Sequence, residues 1–149
     1  MTKILVLNGP NINILGRRMP GVYGTKTLDE INDAVSRKAE TLGVEVTFFQ
    51  SNLEGRLIDC IQENWGKVHG IIINPGALTH YSYALKDALS DAAVPVIEVH
   101  LSNPYARERW RRHSVIADTA RGQIAGFGWR SYTAALDIIA ALVKEEEGE

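Results

Sequence analysis

A single cysteine, Cys60, in 149 residues excludes any intrachain disulfide, so packing and hydrogen bonding alone must hold this chain together. Its spacing with Leu57, Ile58 and Ile61 places it on the buried face of a helix, where a thiol acts as a small apolar group. No run approaches the roughly 18 apolar residues of a membrane span. The amino terminus has no extended apolar segment ahead of a cleavage site, and a cytoplasmic chain is the expectation. A formal net charge of −2 argues against a nucleic-acid or membrane-surface binder held by bulk electrostatics. Arg107, Arg109, Arg111 and Arg112 make one local basic cluster, suited to a single small anion. Neither G-x-G-x-x-G after the first strand nor G-x-x-x-x-G-K-[ST] is present, which removes the two commonest phosphate cradles. None of the six lysines sits at the carboxyl end of a strand, which leaves Schiff-base chemistry little support.

What is present is alternation. Short β-rich runs near Lys3–Leu7, Val44–Gln50, Val68–Asn74, Val94–His100 and Gln123–Phe127 are separated by amphipathic windows near Leu28–Leu42, Glu54–Trp65, Tyr81–Ala92 and Ser131–Lys144. Gly70-Ile-Ile-Ile-Asn74 is continuously apolar, as parallel strands covered on both faces require. The pattern predicts an α/β fold, a flavodoxin-like doubly wound sheet of five parallel strands in the order 2-1-3-4-5, in one domain over 1–149. Capping boxes are expected at Thr27/Glu30 and Ser51/Glu54, and Gly43 stands where a C-terminal cap belongs. A short basic helical turn is expected near Tyr105–Arg112, and Glu145–Glu147 read as a frayed, solvated tail.

The first strand empties into Asn8-Gly-Pro-Asn-Ile-Asn-Ile-Leu-Gly-Arg-Arg-Met-Pro-Gly-Val-Tyr-Gly24, whose four glycines and two prolines break regular structure repeatedly. A long loop rich in asparagine, arginine and tyrosine inside a compact domain is characteristic of a lid or binding loop, here about residues 9–24. In open parallel sheets ligands bind beyond the carboxyl ends of the strands. The first strand ends at Asn8, the third at Asn74-Pro-Gly-Ala-Leu-Thr-His80, and the fourth at Glu98-Val-His100-Leu-Ser102-Asn103. Turns need Gly, Asn or Pro and have no use for histidines, so this convergence reads as an active site.

Glu98 and His100 lie two apart on a strand and share a face, where the carboxylate can hold one ring nitrogen and fix the tautomer of a general acid. His69 and His113 have no such partner and read as structural. A metal bound by His80, His100 and Glu98 is the competing reading, although the surrounding asparagines and arginines suit a polar organic substrate better. A phospho-receiver domain shares the architecture but needs acidic residues where this chain has Asn8 and Asn74.

Nearly end to end, the chain resembles the type II 3-dehydroquinate dehydratases. The resemblance is carried by Asn8-Gly-Pro-Asn11, Leu15-Gly-Arg-Arg18 with Pro20 and Tyr23-Gly24, Ile73-Asn-Pro-Gly-Ala77 with Thr79-His80, Ala84-Leu-Lys-Asp87, Glu98 through Asn103, and Ala106-Arg107 through Arg111. It implies reversible loss of water from 3-dehydroquinate without metal or organic cofactor, in a homododecamer built as four trimers. Tyr23 is then the base, Arg18 the lid residue that favours its phenolate, and Asn11 the holder of a water that stabilises the enolate. His100, oriented by Glu98, becomes the acid. Asn74, His80, Ser102 and the backbone at Leu101 grip carboxylate and hydroxyls, Arg111 anchors a ring hydroxyl, and Asp87 reaches a neighbouring subunit's site. A guanidinium about 4 Å from a phenolate, at an effective dielectric near 20, supplies roughly 4 kcal/mol, adequate to favour the charged form. Met19, Tyr81, Tyr83 and Pro104-Tyr105 depart from the family's common residues, so lid closure and inhibitor fit are where this chain is expected to differ. A non-catalytic module of the same fold that only senses a small carboxylate is the rival from another class, and it predicts binding without turnover.

Overall fold

The central strands are mostly apolar, with Ile, Leu and Val filling β1 and β3 up to their terminal asparagines, and the sheet is built around them. In the computed structural model, which describes residues 1–148, β1 (Lys3–Asn8), β3 (Gly70–Asn74) and β4 (Val96–His100) are flanked at the edges by β2 (Glu45–Gln50) and β5 (Gly122–Ala125). All pair in parallel in the order β2-β1-β3-β4-β5, the predicted topology. The two edge strands are partly exposed, whereas β1 after Lys3, β3 and most of β4 are buried.

Helices cover both faces. Helix α2 (Leu28–Leu42) and helix α5 (Arg130–Glu146) pack on Ile4, Val6, Ile72, Ile97 and Val99. Helices α3 (Glu54–Glu63) and α4 (Tyr83–Asp91) pack on Leu5, Leu7, Ile71, Ile73 and Val96, with Cys60 in this second core as expected. The period-two alternation of each strand thus feeds two separate cores. No helix among the described residues is long and apolar enough to cross a membrane.

The start of α2 carries the predicted reciprocal box between Thr27 and Glu30, and Gly43 closes it at φ 69°. The second predicted box does not form. Ser51 Oγ accepts the Leu53 N–H at 3.0 Å, while the Glu54 carboxylate receives the hydroxyl of Ser82 at the start of α4. A tertiary partner has displaced a local one. Glu145 and Glu146 are helical, and Glu146 meets Arg121 at 2.6 Å, so the last acidic residues continue α5 where a frayed tail was expected.

The long loop after β1 is less free than its composition implies. It contains a 3₁₀ turn at Ile12–Ile14 and a short helix α1 (Pro20–Tyr23), and Ile12 and Leu15 are buried in the α2/α5 core. The part beyond Leu15 is bracketed by Gly16 and Gly24 at φ 92° and 87°, and within it Tyr23 packs, partly buried, against the same core. At its root two close approaches lock the loops after β1 and β3 together. A Cβ on Gly9 would lie 2.4 Å from the Pro75 carbonyl oxygen, and one on Gly76 would lie 2.9 Å from that of Pro10.

Candidate active site

Because the strands are parallel, Asn8, Asn74 and His100 end at one edge of the sheet, with Asn8 opposite Asn74 in register. Above them opens a cleft lined by Arg18, Tyr23, Asn74, His80, His100, Leu101, Ser102, Arg107 and Arg111, together with Ile12, Gly76, Ala77 and Pro104. Three guanidiniums in one cleft of a chain with net charge −2 make a local positive field suited to a small anion.

Glu98 projects from β4 with no exposed surface. Burial by itself would raise its pKa. The bond and charge interaction with His100, with hydroxyl donation from Thr79 and Ser114, outweigh burial and hold the carboxyl below the ordinary carboxylate value. His100 Nε2 lies 2.5 Å from Glu98 Oε2, Thr79 Oγ1 donates at 2.6 Å, and Ser114 Oγ donates to Oε1 at 2.8 Å. Ser114 Oγ also accepts the N–H groups of Ile116 and Ala117, which occupies its lone pairs and commits its proton to the carboxylate. The carboxylate fixes Nε2 as the donating nitrogen and leaves Nδ1 for the cleft.

Two cations lie over the ring of Tyr23, at the end of α1. The guanidinium carbon of Arg18 is 4.6 Å from the ring centroid and that of Arg107 is 5.0 Å. Arg107 also donates to Ser102 Oγ at 3.1 Å, tying the loop after β4 to the segment that bears Tyr23. His80 hydrogen-bonds through Nδ1 to the His113 carbonyl at 2.7 Å and meets Trp110 edge to face. Desolvation lowers its pKa, opposed by that carbonyl and aided by the Arg111 guanidinium, so the neutral ring is favoured. Arg111 lies over Trp110, 4.1 Å from the ring centroid, and pairs with Glu108.

Of the residues singled out from sequence, Tyr23, Arg18, His100, Asn74, His80, Leu101, Ser102 and Arg111 line the cleft, and Glu98 supports it from behind. Asn11 and Asp87 do not line it. Asn11 is exposed in the left-handed region at φ 72°, with its backbone N–H bonded to Asn52, and Asp87 is exposed on α4. His69 accepts the Lys3 N–H at 3.0 Å, a structural role as expected. Tyr81, Tyr83 and Tyr105 are exposed and do not line the cleft, whereas Pro104 does. Among the described residues no three His, Cys, Asp or Glu side chains converge as a metal-ligand set. Sequence reasoning gave Arg107 no place in the site beyond its basic cluster. Thr79 and Ser114 were equally unmarked as partners of Glu98, since only the fold brings their hydroxyls to it.

Comparison with known proteins agrees with this geometry. The family model described as dehydroquinase class II matches residues 2–140. A 3-dehydroquinate dehydratase of Herpetosiphon aurantiacus is 55% identical over 135 residues, covering 91% of this chain and 94% of that one. The crystal structure of a type II dehydroquinase from Butyrivibrio crossotus superposes with a TM-score of 0.90 at 44% identity, covering 93% of this chain and 97% of the other. That from Propionibacterium acnes gives 0.91 at 41% identity, covering 95% and 97%. With the family model, the sequence identity and the superposed fold each extending over nearly its whole length, the chain belongs to the class II dehydroquinase family.

Proposed function

We propose that this chain dehydrates 3-dehydroquinate to 3-dehydroshikimate through an enolate intermediate, with Tyr23 as base and His100 as acid. The observation that carries the reading is the placement of Tyr23, flanked by two guanidiniums, and the Glu98-held His100 on the same cleft. The Tyr23 oxygen, with Arg18 and Arg107 over its ring, takes a proton from the carbon next to the ketone. The electron pair moves onto the ketone oxygen, where charge develops only as the carbon–hydrogen bond breaks, so fixed donors there stabilise the transition state above the ground state. Collapse of the enolate expels the hydroxyl, which takes the Nδ1 proton of His100 and leaves as water. The imidazolium that donates this proton is stabilised by Glu98.

Asn74, His80, Ser102 and the backbone of Leu101 hold carboxylate and hydroxyls, and Arg111 anchors a ring hydroxyl. Asn11 joins the reaction, holding the enolate-stabilising water, only if its loop moves inward. The segment between Gly16 and Gly24 acts as the lid. The working particle is a cytoplasmic homododecamer of four trimers in which Asp87 completes a neighbour's site.

Incubation of the pure protein with 3-dehydroquinate, followed by the conjugated enone absorbance of the product, tests the reading. Tyr23→Phe is expected to lower kcat by several orders of magnitude and to leave KM within about tenfold, since only the proton-accepting oxygen is lost. Substrate binding without turnover in the wild type, or half activity in the variant, refutes the assignment.

A further inference from the structure

One buried network on the α5 side of the sheet has no part in the mechanism above. Asn8 and Asn74 end adjacent strands and face each other in register. Tyr132, near the start of α5 and fully buried, reaches between them. Its hydroxyl donates to Asn8 Oδ1 at 2.6 Å and accepts from Asn74 Nδ2 at 2.9 Å. The other end of the Asn74 amide is also committed, because Oδ1 accepts the Gly76 N–H at 3.1 Å.

An asparagine amide is almost symmetric in shape but opposite in polarity at its two ends. A free amide in the cleft would turn its carbonyl as readily as its NH₂ toward an anion. Here the direction is set by a chain of donors. The Gly76 N–H can only donate, so Oδ1 turns to it and the NH₂ faces Tyr132, and because Asn8 takes the phenol proton, the phenol oxygen is left as the acceptor that holds this NH₂ in place. One N–H of that group is used, and the second is left for a ligand in the cleft that Asn74 lines. Burial pushes the Tyr132 phenol above its ordinary value of 10, so the proton that sets the direction stays in place at every working pH.

We infer that Tyr132 is a positioning residue for substrate binding: from behind the sheet it fixes the Asn74 amide with its N–H toward the substrate carboxylate. The inference rests on the proposed reading of the cleft as the 3-dehydroquinate site, and within it Tyr132 acts only through Asn74.

A double-mutant cycle on the full chain tests this, with KM and kcat followed by product absorbance and folding by thermal melting. Asn74→Ala is expected to raise KM about tenfold. Tyr132→Phe is expected to raise KM by a similar factor with kcat within about threefold, and Tyr132→Phe/Asn74→Ala to be no worse than Asn74→Ala alone. A merely structural phenol would lower the melting temperature and the active fraction, which reduces apparent kcat and leaves KM unmoved. Asn8→Ala, which frees the phenol proton to point at Asn74, is expected to raise KM in the same direction and decides the matter if Tyr132→Phe does not fold. If Asn74→Ala raises KM while Tyr132→Phe or, in its place, Asn8→Ala does not, the positioning role is refuted and the substrate reading stands. If Asn74→Ala leaves KM unchanged, the assigned binding role of Asn74 falls and the inference falls with it.

Discussion

Replacing Glu98 by glutamine preserves the shape of the side chain and reverses the polarity of half of it. Ser114 donates at Oε1 and Thr79 at Oε2, but Ser114 has its lone pairs filled by two backbone N–H groups and can only donate, whereas the Thr79 hydroxyl can turn to accept, so the amide oxygen is held at the Oε1 position, 2.8 Å from Ser114 Oγ. The NH₂ then falls at the Oε2 position, where it faces His100 Nε2 at a distance of 2.5 Å in the wild type. Two donors cannot share that contact. The neutral ring must move its proton from Nε2 to Nδ1, and the imidazolium, with a proton on both nitrogens, loses its carboxylate. A hydrogen bond to a charged partner with no exposed surface contributes about 2–3 kcal/mol, so kcat should fall about 30- to 150-fold. KM should change little, because Glu98 does not line the cleft. Acid provides a second readout. The folded-state pKa of Glu98 lies below the ordinary value of about 4.5, so its contribution to stability is present above that pH and is lost as pH falls through the lower folded value. The neutral amide of the variant has no such contribution. The difference in melting temperature between wild type and Glu98→Gln should therefore be greatest near neutral pH and should shrink below about 4.5. A variant with kcat within threefold of wild type, or a difference in melting temperature that ignores acid, refutes the role given to this carboxylate.

Gly9→Ala places a methyl group 2.4 Å from the Pro75 carbonyl oxygen, a backbone atom with little freedom to yield. It should destabilise the protein by about 3 kcal/mol, measured by denaturant titration, and a loss under about 1 kcal/mol would show that the two loops separate easily. Twelve copies of the 16.5 kDa chain should sediment as a particle of roughly 200 kDa, and Asp87→Ala should weaken activity or trimer contacts although Asp87 lies outside its own cleft. A fully active monomer in the centrifuge refutes both the assembly and the shared site.

The layout of the fold was legible in the order of residues alone. The continuous apolar run of β3 can be satisfied only between two helical layers, and the strands alternate with amphipathic windows, so topology and the edge bearing the site followed from periodicity. The pairing of Glu98 with His100 was equally legible, because two residues apart on a strand means the same face and contact distance. Local signals failed where a distant group competed with them. Ser51 and Glu54 have the spacing of a capping box, but Ser82 takes the Glu54 carboxylate, and no sequence pattern announces a partner 28 residues away. The loop after β1 looked wholly irregular because its glycines and prolines outweigh Ile12 and Leu15, whose burial depends on where α2 and α5 lie.

Which side chains support the site became visible only in three dimensions. Arg107 is one of several arginines in a basic stretch until the fold brings it over Tyr23. Thr79 and Ser114 are 35 residues apart in sequence and converge on one carboxylate. Tyr132 is 124 residues from Asn8 and joins it through a single hydroxyl. Periodicity records which face of an element is apolar, because that averages over many residues. A hydrogen bond between two particular side chains depends on the relative placement of whole elements to within a few tenths of an ångström, which no local run of residues encodes.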